Sequence, residues 1–236
     1  MTFHIVFCTF HIGNEKNVKK SYIIISRNEV DKMIEKFCTY LTKKIGKEMP
    51  DLDEERLEAI NYGLQNIIGE IPKIFITIGI GFLLEIGNLT LVSFFLIGLY
   101  RSFAGGFHAK THIGCITSTT IMFCGPAIIA KLIHFPSQEL KYLIIAAVWI
   151  FSMIMIKLYA PADTENVPIL QKKERLKKQV LSYIVLTIEV IIAIIIPNET
   201  ISNMIVIGIF LETITITKPV YKLTKNKYGY EVYGEN

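Results

Sequence analysis

Residues 74–100 read IFITIGIGFLLEIGNLTLVSFFLIGLY, a stretch with a single charge, Glu85, near its middle. A helix crossing a bilayer needs about 20 mostly apolar residues, so this segment holds two crossings joined around Glu85 to Asn88. The same pattern continues on both sides. Charge-poor runs give six candidate crossings, at 67–86, 88–104, 112–131, 141–158, 179–197 and 199–217. The second is strictly charge-free only from Ile86 to Tyr100, and the last two are separated by Pro197, Asn198 and Glu199 alone, a tight turn. Four to six crossings fit the pattern, and six is the reading adopted.

Charge placement supports this. Of the 25 basic and 21 acidic residues, 35 fall in residues 14–58, 157–178 and 218–236, leaving 11 among the other 150 positions. With a mean hydropathy of +0.43, the composition excludes disorder and argues against an ordinary water-soluble globule. The fold class expected is all-α, a polytopic membrane protein of about six transmembrane helices.

Upstream of the crossings, Ile34, Phe37, Leu41 and Ile45 recur at helical spacing with Lys36, Lys43, Lys44 and Lys47 between them, the pattern of an amphipathic helix lying at the membrane interface. After Pro50 an acidic first turn precedes Leu57, Ile60, Leu64, Ile67 and Ile71, a second helix entering the bilayer; a soluble amphipathic helix is the competing reading. The chain divides into an N-terminal extension of unassigned role (1–32), a membrane-embedded domain (33–218) and a tail (219–236). Residues 1–16 lack a basic region before their apolar stretch and a small-residue cleavage site, so no cleaved signal peptide is expected. Because the coherent pattern starts at Met33, that residue is the expected natural start; N-terminal sequencing of native protein tests this, and a mature Met1 would refute it.

Orientation follows from counting Lys and Arg, which concentrate in cytoplasmic segments. Residues 14–58 hold ten, 101–110 two, 157–178 six and the tail four, whereas the alternate connections hold only Lys131 and Lys141 at their margins. Both termini and the 101–110 connection are therefore expected to face the cytoplasm. Cys8, Cys38, Cys115 and Cys124 form no CxxC pair and no disulfide framework, so four free thiols are expected, with Cys124 packing deep in a span.

Reactive groups crowd at one place, RSFAGGFHAKTHIGC at residues 101–115, which brings Arg101, Gly105, Gly106, His108, His112 and Cys115 together. A thiol beside an imidazole can act as the nucleophile and base of a cysteine peptidase. His108 and Cys115 are seven positions apart, about 10 Å along a regular helix. Pairing them needs a bend, and Gly105, Gly106 and Gly114 supply freedom for one. His112, three positions before Cys115, reaches it within a regular helix, so spacing leaves both histidines open. Zinc held by His108, His112 and Cys115 is a further reading, and so is a set of interfacial histidines beside a merely packed thiol.

The sequence Gly105-Gly106-Phe107-His108-Ala109 followed by Cys115, with Arg101 upstream, resembles the core motif of the accessory gene regulator B family, membrane peptidases of peptide quorum sensing. Weaker similarities are Tyr62-Gly63-Leu64, Tyr159-Ala160-Pro161-Ala162 with Pro168, and Glu212-Thr213-Ile214-Thr215; together they cover roughly residues 60–218. The resemblance implies a cysteine endopeptidase with Cys115 as nucleophile and His108 as general base. It leaves His112 without an assigned role. It also implies a substrate, a small amphipathic propeptide of the accessory gene regulator D type. Tail removal would leave an acyl-enzyme thioester, closed to a thiolactone or lactone by an internal nucleophile, at a bacterial plasma membrane.

Other residues carry supporting expectations. Arg101, or backbone amides at Gly105 and Gly106, are candidate oxyanion donors, and Arg101 is equally a positive-inside anchor. Lys172, Lys173, Arg175, Lys177 and Lys178 form a basic loop suited to an acidic substrate tail or to anionic lipid headgroups. Asp163 and Glu165 are candidates to orient His108. Glu70 and Lys73 form a candidate ion pair in the first crossing. Glu189 and Glu212, in the last two spans, are candidates for an intramembrane polar cavity, or else buried hydrogen-bond partners of Ser or Thr. Alternative functions are a small transporter or peptide-export protein using those carboxylates, and a metal-dependent membrane hydrolase. No nucleotide, redox cofactor, resident metal or nucleic acid is expected; partners are the propeptide, membrane lipids and a candidate second copy of the chain.

Overall fold

The computed structural model describes residues 29–49, 52–109, 112–165 and 168–234. Expectations for residues 1–28, Cys8 included, lie outside the described residues. The described chain is mostly helical: α1 (Glu29–Glu48), α2 (Glu54–Leu83), α3 (Gly87–Ala104), α4 (His112–Leu132), α5 (Gln138–Tyr159), α6 (Lys172–Ile195), α7 (Glu199–Thr215), α8 (Lys218–Leu223) and α9 (Gly229–Tyr233). An isolated parallel β-bridge joins Gly105 to Ala162. The protein is an all-α polytopic membrane protein, as its composition requires.

Two compact units divide within α2, Met1–Ile74 and Phe75–Asn236. In the first, α1 starts at Glu29, four residues before Met33, so the helical pattern does not begin at the expected start. Its covered face is Ile34, Cys38, Leu41, Thr42 and Ile45; Phe37, expected on that face, is exposed. Gly46 lets the helix approach Leu57 of α2, whose side chain a Cβ there would meet at 3.1 Å. Lys73 and Glu70 form the expected i, i+3 pair at 2.7 Å.

Among the described residues, five helices are long and apolar enough to cross a membrane: Arg56–Leu83 within α2, α3, Ile113–Leu132 within α4, α5 and α6. The sixth expected crossing is α7, which has 17 residues, about 26 Å at 1.5 Å per residue. In the second unit α7 is the central element, packed against α3, α4, α5 and α6. Asn198 starts it by accepting a hydrogen bond from Ile201 N at 3.1 Å, which makes the expected Pro197–Glu199 turn an N-cap.

The distribution of polarity is that of a bundle in lipid. Val180, Ile184, Ile188, Ile191 and Ile195 of α6 are exposed at helical spacing, while Ser182, Leu186, Glu189 and Ala193 are buried. Apolar side chains therefore face outward, and the interior carries small and hydrogen-bonding residues that let helices approach. Gly208 of α7 sits against Ile97 of α3 with no room for a Cβ. At one end of the bundle Lys131 Nζ donates to Glu85 O at 2.9 Å and Asn203 Nδ2 to Ile133 O at 3.0 Å. At the opposite end the connections between α3 and α4 and between α5 and α6 meet the segment after α7, and there the reactive residues lie.

Candidate active site

The α3–α4 connection owes its shape to two glycines and one arginine. Gly105 has φ +82° and Gly106 φ +141°, a region that costs any residue with a Cβ. A Cβ on Gly105 would collide with the Ala162 carbonyl, and one on Gly106 would come within 2.5 Å of Arg101 Nη1 and 2.7 Å of Thr215 Oγ1. The two connections pair like strands: Gly106 N donates to Ala162 O at 2.9 Å and Ala162 N to Ala104 O at 2.8 Å. Gly105 N donates back to Arg101 O at 2.9 Å. Both glycine amides are thus engaged in holding the loop, which corrects their expected availability as oxyanion donors.

Arg101 has a structural role that neither expectation included. It is buried, and Nη1 reaches Glu212 Oε2 at 3.0 Å, Oε1 at 3.1 Å and Thr215 Oγ1 at 3.2 Å. Nη2 donates to the Phe107 carbonyl at 2.7 Å. The guanidinium couples α7 to the residue preceding His108 and, being buried, does not project to an interface. Glu212, fully buried, is its counter-ion and not a vacant cavity wall. Glu189 is also buried, but both of its carboxylate oxygens lack a hydrogen-bond partner among the described residues, so the expected Ser or Thr partner is absent.

His108 is half-buried within this loop. Cys115 lies in the first turns of α4, 6% exposed and a free thiol, as Cys38 and Cys124 also are. His112 opens α4. Cys124 packs as expected, with Sγ 3.7 Å from both Thr90 Oγ1 and Thr77 O. Among the described residues no three His, Cys, Asp or Glu side chains gather as a metal site requires.

Asp163 serves the loop rather than the histidine. Its Oδ2 accepts from Ile169 N at 2.9 Å and Arg175 Nη1 at 3.0 Å, and Oδ1 accepts from Gly229 N at 3.2 Å. Arg175 further donates to Pro161 O at 3.3 Å and lies 4.7 Å from the Tyr230 ring centre. The expected basic loop is in fact helical, because α6 begins at Lys172. Arg175 and Lys178 turn inward, leaving Lys172, Lys173 and Lys177 as the exposed cations of that turn.

Sequence reading did not foresee the part played by the segment after α7. Tyr221 hydroxyl donates to Ala162 O at 2.8 Å and Asp163 O at 3.1 Å, Tyr228 hydroxyl to Ile216 O at 2.8 Å, and Asn226 Nδ2 to His108 O at 3.0 Å. Tyr221, Tyr228 and Tyr230 stack with ring centres 4.0 and 5.2 Å apart. Burial pushes the phenols of Tyr221 and Tyr228 well above their ordinary range. Four tyrosines within residues 221–233 were the available signal, since a solvated tail needs none.

A family model described as accessory gene regulator B matches residues 36–216. The accessory gene regulator protein B of Staphylococcus aureus (strain bovine RF122 / ET3-1) is 30% identical over 190 residues, covering 80% of this chain and 95% of the relative. That of Staphylococcus haemolyticus is 30% identical, covering 79% and 93%. An AgrB-like protein of Clostridium acetobutylicum is 28% identical, covering 83% and 91%. No solved structure matches. A loop built on Gly105, Gly106 and Arg101, ahead of a thiol at a helix start, thus lies inside a match spanning most of the sequence: the chain belongs to the accessory gene regulator B family.

Proposed function

We propose that the protein is a membrane cysteine endopeptidase that removes the C-terminal tail of a small amphipathic quorum-sensing propeptide and retains the remainder as a thioester for cyclisation. One observation carries this reading: the loop bearing His108 is fixed by hydrogen bonds at Gly105, Gly106, Phe107 and His108, immediately before a buried thiol at a helix start. A packed histidine and an inert cysteine need no such fixation, whereas a base and a nucleophile lose rate steeply with misplacement.

In the reaction, His108 takes the Cys115 proton as sulfur attacks the scissile carbonyl. The tetrahedral intermediate collapses with cleavage of the C–N bond, and the imidazolium returns its proton to the departing amine. The new S–C bond is a thioester, which an internal Cys or Ser of the propeptide attacks to close the ring and regenerate the Cys115 thiol. Ring closure outruns hydrolysis because the internal nucleophile is tethered and the site is shielded from water. Lys172, Lys173 and Lys177 are suited to an acidic leaving tail. On this reading the site faces the cytoplasm, where the propeptide is made.

Co-expression with an accessory gene regulator D type propeptide tests the reading. Tail release is expected in wild type and in His112→Ala, and loss in Cys115→Ala and in His108→Ala. Undiminished release from Cys115→Ala would overturn it.

A further inference from the structure

We propose that residues 217–234 form a clasp that positions the base of the reaction, with Asn226 as the positioning residue for His108. This rests on the peptidase reading above. The clasp lies beyond residue 216, where the family model's match ends.

The clasp grips the His108 loop at two points. Tyr221 hydroxyl bonds the Ala162 and Asp163 carbonyls, and Ala162 is the residue whose backbone pairs with Ala104 and Gly106. Asn226 then bonds the His108 carbonyl itself at 3.0 Å. Between the two points, Arg101 holds Phe107. Consecutive residues from Gly105 to His108 thus each have a fixed backbone, and the last of these contacts comes from the clasp alone.

Asn226 is built for this contact. It is 9% exposed, and its amide nitrogen also donates to Thr224 Oγ1 at 2.9 Å, which fixes the orientation of the amide group. Its backbone N donates to Tyr221 O at 2.9 Å, and the preceding Lys225 takes φ +55° to turn the chain inward. Further along, Gly229 N bonds Asp163, and a Cβ on Gly229 would lie 2.5 Å from Asp163 Oδ2 and 2.8 Å from Pro168 Cβ. A segment serving only as a solvated end has no use for an amide buried against a loop carbonyl. Because the bond is to backbone and not to the imidazole, Asn226 acts through His108.

The test is steady-state cleavage of the same propeptide by detergent-purified full-length enzyme, comparing Asn226→Asp, Tyr221→Phe, Thr224→Val and Cys115→Ala. Asp keeps the shape of Asn but has no amide donor. Turnover (kcat) in Asn226→Asp is expected to fall about 10- to 100-fold, the scale set by small misplacements of a reacting group, with KM unchanged when measured well below the lowered thermal midpoint that a carboxylate facing the His108 carbonyl brings. Tyr221→Phe and Thr224→Val should lower kcat in the same sense. If Asn226→Asp does not accumulate, Thr224→Val, which removes only the hydroxyl that aims the amide, decides the matter. Wild-type kcat in these variants, or a rise in KM alone, overturns the positioning role while the peptidase reading stands. Full cleavage by Cys115→Ala overturns the peptidase reading itself.

Discussion

Replacing Arg101 and Glu212 separately and together separates what their ion pair does for the fold from what Arg101 does for the loop. Glu212 is fully buried and Arg101 nearly so, with Nη1 3.0 and 3.1 Å from the two carboxylate oxygens. Removing one partner strands the other in an apolar interior, a cost of about 3–5 kcal/mol, whereas replacing both with apolar side chains of similar size is often neutral. Arg101→Met also leaves the Phe107 carbonyl without its 2.7 Å donor, adding about 1–2 kcal/mol. Each single variant should lower the thermal midpoint on the order of 10 °C, by the usual scaling for a chain of this length. Arg101→Met with Glu212→Leu should recover most of that loss, with a coupling of at least about 2 kcal/mol. Unfolding can be followed by fluorescence of the single tryptophan, Trp149, on purified full-length protein. Propeptide cleavage should nevertheless stay impaired in the double variant, because nothing replaces the bond to Phe107 beside His108. Additive losses would refute the pairing; a double variant with wild-type cleavage would refute the role of the Phe107 bond.

Three further outcomes follow from the same geometry. Gly105→Ala should fail to assemble the α3–α4 connection and lose cleavage, since the left-handed backbone alone costs about 1–2 kcal/mol and a Cβ there collides with the Ala162 carbonyl; a stable, active Gly105→Ala protein would contradict this. Glu189→Met should raise the thermal midpoint by removing a buried carboxyl without a partner, worth about 1–3 kcal/mol, and leave cleavage intact; loss of function with stability retained would favour the export reading. Raising the pH should release the clasp. The Tyr221 and Tyr228 phenols are held above their ordinary range by burial, so the folded clasp keeps protons that the unfolded segment gives up. That stabilisation is complete below about pH 10 and is lost above it. Proteolysis after residue 217 should therefore accelerate as the pH is raised above about 10 in wild type and change less in a Tyr221→Phe, Tyr228→Phe variant; equal acceleration in both would refute it.

Helix positions were legible in the sequence because lipid imposes a blunt rule, long charge-free runs, and the runs at 88–104, 112–131 and 141–158 match α3, α4 and α5 within three residues at each end. The rule fails where helices leave the bilayer. α6 begins at Lys172, seven residues before the expected 179, because Lys and Arg are good helix formers and charge marks the membrane boundary, not the helix boundary. The glycine pair was recognisable as a bend, but its partner Ala162 was not, since a backbone pairing leaves no side-chain signature. Arg101 was visible as an important charge, but its buried pairing was not. Its partner Glu212 is 111 positions away, and no local pattern links the two. Asp163 was a candidate to orient His108 from a different connection of the chain, and no local pattern showed that Arg175 and Gly229 occupy its carboxylate.

The central claim, that Cys115 carries the substrate acyl group, is tested most directly by intact-mass and peptide mass spectrometry of enzyme quenched in acid while processing its propeptide. The account predicts a thiol-labile adduct on the peptide containing Cys115, equal in mass to the propeptide without its tail, and absent from Cys115→Ala and His108→Ala. Tail release at wild-type rate from Cys115→Ala, with no adduct on Cys115 in the wild-type enzyme, would contradict it.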